Sequence, residues 1–344
     1  MHLRNIIVSA VLCTCLFSCD TRNEQIGHAI YHWQSDFSLS EQEKSILQDA
    51  AINKIYLRFF DVAWDRAAEQ PLPVSELYMQ EPLPAGTAYV PVVFITNEVM
   101  EKCVAEDVPV LAQKISKRIE QKIIALQLPA TTEIQIDCDW TKGTRDAYFT
   151  LLEKLREVSA LKDIQWSATI RLHQIKYKDE TGVPPVDRGT LMFYNMGNIE
   201  DAQSEQSIYT KKIADGYVAA IPDYPLPLDV AIACFSWGLL FHENTLLHIF
   251  YPLDAATMAS DSLFAKKEEN VFVAKRETYF RGYFITPDDP IKIESMDPAR
   301  ALQSAKQVSK YLPAGNRDII LYQLDADMVR RFSAKEMEEI YGSF

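Results

Sequence analysis

No strand candidate in this chain is followed by a glycine-rich phosphate loop, and only 11 of its 344 residues are glycine. That argues against the phosphate-cradling turn of a doubly wound, nucleotide-binding sheet. Cysteine is equally sparse. Cys13, Cys15 and Cys19 crowd the amino terminus, which leaves Cys103, Cys138 and Cys234 for the rest of the chain. Three scattered cysteines make neither a disulfide framework nor a paired metal-ligand spacing, so no metal and no cofactor is expected. Cys138 and Cys234 lie inside apolar strand patterns and read as small buried hydrophobes. The chain has no Lys/Arg run, and its formal charge is −13, which argues against a nucleic-acid partner. It also lacks internal repeats and low-complexity tracts. Hydrophobic residues at 48% and charged residues at 24% describe an ordinary globular chain, long enough for one barrel or two smaller domains.

The amino terminus reads as a processed leader. Arg4 precedes the apolar run Ile6–Phe17, whose twelve residues are too few to span a bilayer. The run ends in Leu-Phe-Ser-Cys, Leu16 to Cys19, which resembles the lipobox of bacterial lipoproteins. The resemblance implies a signal peptide over 1–18, lipidation at Cys19 and a short tether over 19–25. It also implies a cell-envelope protein held to a membrane, the outer membrane being the expected one, through its lipid alone. The alternative is a plain secretory signal cut elsewhere.

From about Ile26 onward, short apolar runs alternate with helical patterns. Strands are expected at 28–33, 54–61, 88–96, 133–140, 165–174, 190–197, 229–237 and 318–325. Helical periodicity lies between them. In 146–161, for example, Phe149, Leu152, Leu155 and Arg156 recur at i, i+3 and i+4 spacing. Eight strands alternating with helices imply right-handed βαβ units and predict a single (β/α)₈ barrel of the TIM type over 26–344. The interval 238–316 is too long for a simple connection and reads as a lid-like insertion between strands seven and eight. It holds a strand near 277–285 and a helix opened by Asp297 and Pro298. The charged stretch 265–277 reads as a solvated turn beside that strand, and Gly182–Gly189 as a stiff connection before strand six.

Strand four carries the chemistry. Side chains alternate along a strand, so Gln135, Asp137, Asp139 and Thr141 share one side, and Ile134, Ile136, Cys138 and Trp140 the other. A barrel gathers the C-terminal ends of its strands around one mouth. Collected there, Trp33, Arg58, Asp61, Asp137, Asp139, Trp140, Arg171, His173, Tyr194, Asn195, Trp237 and Tyr322 form a polar and aromatic ring. Strand five repeats the pattern, with Ser167, Thr169, Arg171 and His173 on one face. Carboxylates beside aromatic rings suit a sugar, whose hydroxyls need hydrogen bonds and whose apolar faces stack on Trp or Tyr. Trp140, on the apolar side, is equally well placed to pack against a helix.

Ile-Asp-Cys-Asp-Trp-Thr, Ile136 to Thr141, with the following Tyr148–Glu157 helix resembles the fourth strand and helix of family-18 glycoside hydrolases, the chitinase-like barrels. Leu191–Gly197 resembles their sixth strand. Asp137 and Asp139 match the last two aspartates of the family motif, and Met192 and Tyr194 match the sixth-strand pair. Thr141 stands where the family has its acid glutamate, Ile134 replaces the first aspartate and Asn195 the sixth-strand aspartate. Most of the chain after residue 25 also resembles an uncharacterised family of bacterial envelope proteins with a glycosidase-like barrel. These resemblances imply a carbohydrate partner, of glycan or peptidoglycan type. Binding without turnover needs no unusual proton donor, with Arg58 and Arg171 expected to hold Asp137 and Asp139. The alternatives are hydrolysis with Asp139 as acid and Asp137 assisting, and a scaffold whose charges merely satisfy one another. A metal site from Asp137, Asp139 and His173 has suitable ligand types but no paired-His motif behind it.

Overall fold

A computed structural model describes residues 25–161 and 163–344. The predicted signal peptide and the lipidation at Cys19 lie outside the described residues, as does the tether except for Gln25.

Eight parallel strands close on themselves. They are β1 (Ile26–His32), β2 (Lys54–Asp65), β3 (Ala88–Ile95), β4 (Glu133–Asp137), β5 (Gln165–Arg171), β6 (Arg188–Met192), β7 (Leu228–Ala233) and β8 (Arg317–Tyr322). Each pairs with its neighbour in chain order. β1 meets β2 through Ile30–Ile55 and β8 through Ile30–Leu321, so the sheet has no free edge around the barrel. The chain is a (β/α)₈ barrel.

The alternation expected for β4 fixes what faces where. All five of its residues are buried. Ile134 and Ile136 join the hydrophobic layer under the outer helices, α1 (Val108–Ala125) and α2 (Arg145–Val158) among them. Glu133, Gln135 and Asp137 point into the barrel and meet polar partners at three heights. Ser167 donates to Glu133 at 2.6 Å, and Tyr31 donates to Gln135 at 2.5 Å. Gln135 in turn donates to Thr190 at 2.8 Å, and Thr169 donates to Asp137 at 2.5 Å. At the base, Arg188 forks onto Asp229, and Lys54 and Tyr56 meet Asp318. The interior is therefore a stack of hydrogen-bonded polar layers rather than the usual branched aliphatics, and buried polar groups are tolerable because each layer is paired.

The run 229–237, expected as one strand, is two. β7 stops at Ala233, and Ser236–His242 begins a five-stranded antiparallel sheet. Its strands run in the order Thr245–Phe250, Ser236–His242, Ile291–Ser295, Val271–Ala274 and Phe264–Glu268. Leu240, Phe250, Phe264, Phe272 and Ile291 form a second core beneath it, separate from that of the barrel. A Cβ at Gly238 would lie 2.5 Å from Leu253 Cδ2, so a larger residue there would displace that side chain. The stretch expected as a solvated turn, 265–277, instead supplies most of two of these strands, because Phe272 and Ala274 have apolar neighbours that the sequence did not reveal. The strand expected near 277–285 is a hairpin, Thr278–Phe280 with Tyr283–Ile285, turning at Arg281–Gly282. Asp297 caps the helix Pro298–Val308 by accepting from the Arg300 amide at 2.8 Å. No helix among the described residues is long and apolar enough to cross a membrane.

Candidate functional site

The mouth is built from the carboxyl ends of β1, β2 and β4–β8 and the first strand of the insertion. On β4 and just beyond it, the two aspartates have different surroundings. Asp137 is 5% exposed and takes its hydrogen bond from the Thr169 hydroxyl. Burial, then the neighbouring Asp139, pushes its carboxyl up to about 7. Asp139 sits at the surface of the mouth, where Arg171 at the end of β5 donates to both its oxygens, Nη2 to Oδ2 at 2.6 Å. Burial acts against the Arg171 guanidinium, but its bonds to Asp139 hold its proton more tightly than usual.

Arg58 does not reach the strand-four pair. It forks onto Asp61 three residues later, donates to the Trp33 carbonyl at 3.2 Å and lies 5.4 Å from the centre of the Trp33 ring. The expectation that Arg58 and Arg171 together clamp Asp137 and Asp139 is thus corrected. Each arginine takes the carboxylate nearest its own strand end, Asp61 or Asp139, and Asp137 is left to a neutral hydroxyl.

The aromatic residues converge. Tyr322 stacks on Tyr194 at 5.4 Å and tilts against Trp33 at 5.8 Å. Phe235, in the short link between β7 and the insertion, meets Trp237 at 5.0 Å and Tyr322 at 5.9 Å. Trp33, Asn195, Phe235, Trp237, Tyr251, Tyr322 and Gln323 line a cavity of about 290 Å³. Asn195 turns the chain out of β6 with φ of 51°, a conformation asparagine tolerates better than most residues. Trp237 is anchored by Glu294 of the insertion, which accepts from the indole Nε1 at 3.0 Å and from the Ser207 hydroxyl at 2.5 Å. Tyr251 donates to Asp325 at 2.6 Å.

Two expected members, His173 and Trp140, fall elsewhere, and Thr141 lies outside the mouth as well. The strand-five alternation stops at Arg171, so His173 leaves on the short helix Leu172–Lys176 and is exposed. Trp140 is buried outside the barrel against Tyr148 and Phe149, its Nε1 donating to the Thr181 carbonyl at 2.9 Å. Thr141 is exposed at the turn into α2, where its carbonyl accepts from the Arg145 amide at 2.9 Å. Among the described residues no cluster of three His, Cys, Asp or Glu side chains is placed to hold a metal ion. Phe235, Tyr251, Gln323 and Glu294 were not foreseen. Phe235 and Gln323 adjoin residues that were, but Tyr251 and Glu294 lie in the insertion with no local signal.

No protein-family model and no curated protein matches the sequence. Solved structures do. The spore cortex-lytic enzyme SleL of Bacillus cereus aligns at 12% identity with a TM-score of 0.53, over 93% of this chain and 75% of that one. A chitinase from Chromobacterium violaceum aligns at 11% identity with a TM-score of 0.54, over 91% and 98%. A class V chitinase from tobacco aligns at 11% identity with a TM-score of 0.50, over 93% and 100%. The chain therefore shares the (β/α)₈ architecture of chitinase-like glycosidase barrels.

Proposed function

We propose that this protein binds a carbohydrate at the barrel mouth without hydrolysing it, as a lipoprotein of the cell envelope anchored through Cys19. The observation that carries the binding reading is the cavity itself. Five aromatic residues, Trp33, Phe235, Trp237, Tyr251 and Tyr322, wall a space of about 290 Å³, and one of them, Tyr322, feels the charges of Asp137 and Arg171. Sugar rings present apolar faces to such walls and hydroxyls to such groups. A scaffold has no use for an open aromatic cavity. The resemblance to chitinases, proteins named for action on a polysaccharide, is consistent with a sugar ligand.

Turnover is the weaker reading. Glycoside hydrolysis needs a proton donor at the leaving oxygen. The position where chitinase-like barrels place their glutamate holds Thr141, whose hydroxyl is no acid near neutral pH and which lies in an exposed turn. Both oxygens of Asp139 accept from Arg171 and are committed as acceptors. Asp137, its carboxyl pushed up to about 7, lies beneath Asp139, against Thr169.

A glycan screen on the purified protein, followed by calorimetry with the hits, tests the proposal. Binding that weakens in Asp137→Asn while the melting curve at neutral pH is not lowered supports it. The scaffold reading wins if no glycan binds the wild type.

A further inference from the structure

The mouth cavity is an aromatic box. Asn195 and Gln323 complete a lining of five aromatic rings, and no lining residue is charged. Ring faces are the negative side of the aromatic quadrupole, so several rings around one space favour a cation within it. Trp33 already takes the Arg58 guanidinium over its ring.

The polar atoms of the wall agree with the rings. Asn195 Oδ1 and Gln323 Oε1 are buried and have no hydrogen-bond donor opposite them. The orientation of Gln323 is set by its surroundings. Its Nε2 faces Tyr251 Oη at 2.5 Å and Asp325 Oδ2 at 3.5 Å, and only the NH₂ end of an amide can approach a carboxylate. The carbonyl end of this side chain, 6% exposed, is thereby left unpaired in the cavity wall. Around the box, both mouth arginines are already engaged, Arg58 with Asp61 and Arg171 with Asp139. Asp137 and Asp325 accept hydrogen bonds from neutral groups only.

We propose that the mouth selects a sugar bearing a protonated amine over its neutral or N-acetylated counterpart. The inference rests on the carbohydrate reading above and narrows it to a ligand class. An ammonium group brings three N–H donors and a positive charge to a space that offers ring faces and carbonyl dipoles. A hydroxyl brings one donor and no charge. An acetamide brings one N–H donor, no charge and a further carbonyl, an acceptor set against acceptors.

Three hexasaccharide probes differing only at carbon 2 test this by calorimetry on the full chain, at a pH where the amine is protonated: β-1,4-linked glucosamine, N-acetylglucosamine and glucose. The glucosamine hexamer is expected to bind ~10-fold tighter than either of the others. Trp237→Phe, which keeps a ring face, should retain most of that preference, and Trp237→Leu should abolish it. Should Trp237→Leu fail to fold, Tyr251→Leu at the half-exposed rim is read in its place. Equal or tighter binding of the N-acetylated or glucose hexamer overturns the inference and leaves carbohydrate binding standing. If none of the three binds, the inference falls, and carbohydrate binding falls with it only if the glycan screen is also empty.

Discussion

Arg171 closes on both oxygens of Asp139 from the neighbouring strand end, and in doing so it leaves Asp137, two residues earlier, without a cation. The two aspartates that stand out in the sequence are therefore not equivalent. One is a partly exposed, charge-paired rim group, the other a buried carboxyl facing a hydroxyl, and the predictions that follow depend on that division.

The first concerns pH. The folded state holds the Asp137 proton up to about pH 7, whereas the unfolded chain releases it near the ordinary aspartate value of roughly 4. Across that window the folded protein binds more protons, so stability falls as pH rises and the penalty is complete above it. Glu133, pushed up to about 7 by burial and then by Asp229, adds a slope of the same sign. Asp137→Asn keeps an acceptor for Thr169 and removes its share. Its Tm should match wild type near pH 4 and exceed it at pH 8, by ~2–4 °C for each kcal/mol recovered. Parallel melting curves across the range would sink the assignment.

The Asp139–Arg171 pair should matter more to ligand than to fold. Its side chains are 42% and 26% exposed, and solvent screens such a pair to about 1 kcal/mol or less. Asp139→Asn is expected to shift the urea midpoint only slightly while weakening glycan binding. The same variant checks turnover: any hydrolysis that survives it unchanged excludes Asp139 as the acid.

Deep in the barrel the expectation reverses. Gln135 takes the Tyr31 hydroxyl at 2.5 Å and serves Thr190 at 2.8 Å, and all three side chains are buried. Gln135→Leu strands both partners without water, a loss on the order of 2–4 kcal/mol from two unsatisfied groups. Denaturant unfolding with an unchanged m-value reads it directly. A loss below the noise of that measurement would mean that water enters the barrel.

Lipidation and orientation remain to be tested together. Intact-mass analysis of protein from native membranes should show an acylated chain beginning at Cys19, and a different mature start would remove the anchor from the account. β1 begins at Ile26 at the base of the barrel, so a tether of ~20 Å at full extension should hold the base near the membrane and turn the mouth outward. Quenchable fluorophores at Gln127, near the base, and at Ser262, on the insertion, distinguish the orientations in liposomes. Quenching by lipid at Ser262 with none at Gln127 contradicts the expected one.

The barrel was legible because its signal is local. Period-two alternation in β4 and the i, i+3, i+4 recurrence of α2 depend on neighbouring residues alone, and eight such repeats have one common closed arrangement. Period alone could not show where the alternation ends. His173 continues the face of Arg171 on paper, yet the chain turns helical at Leu172 and carries it away. Trp140 followed the rule and faced outward with Ile136, so its aromatic ring supports α2 and not the mouth.

What the sequence determined by itself was the order of strands and helices and the inward side of β4. Both are properties of residues adjacent along the chain. Tertiary structure alone decided the partners. Arg58 was free on paper to meet Asp137, but charge-assisted bonds form with the nearest carboxylate in space, and for Arg58 that is Asp61. It likewise brought Tyr251 and Gln323, 72 residues apart, into one cavity wall and left a carbonyl there unpaired. No local pattern encodes such a meeting, because the insertion's packing against the barrel places Tyr251 there, and that packing is set by contacts distant in sequence.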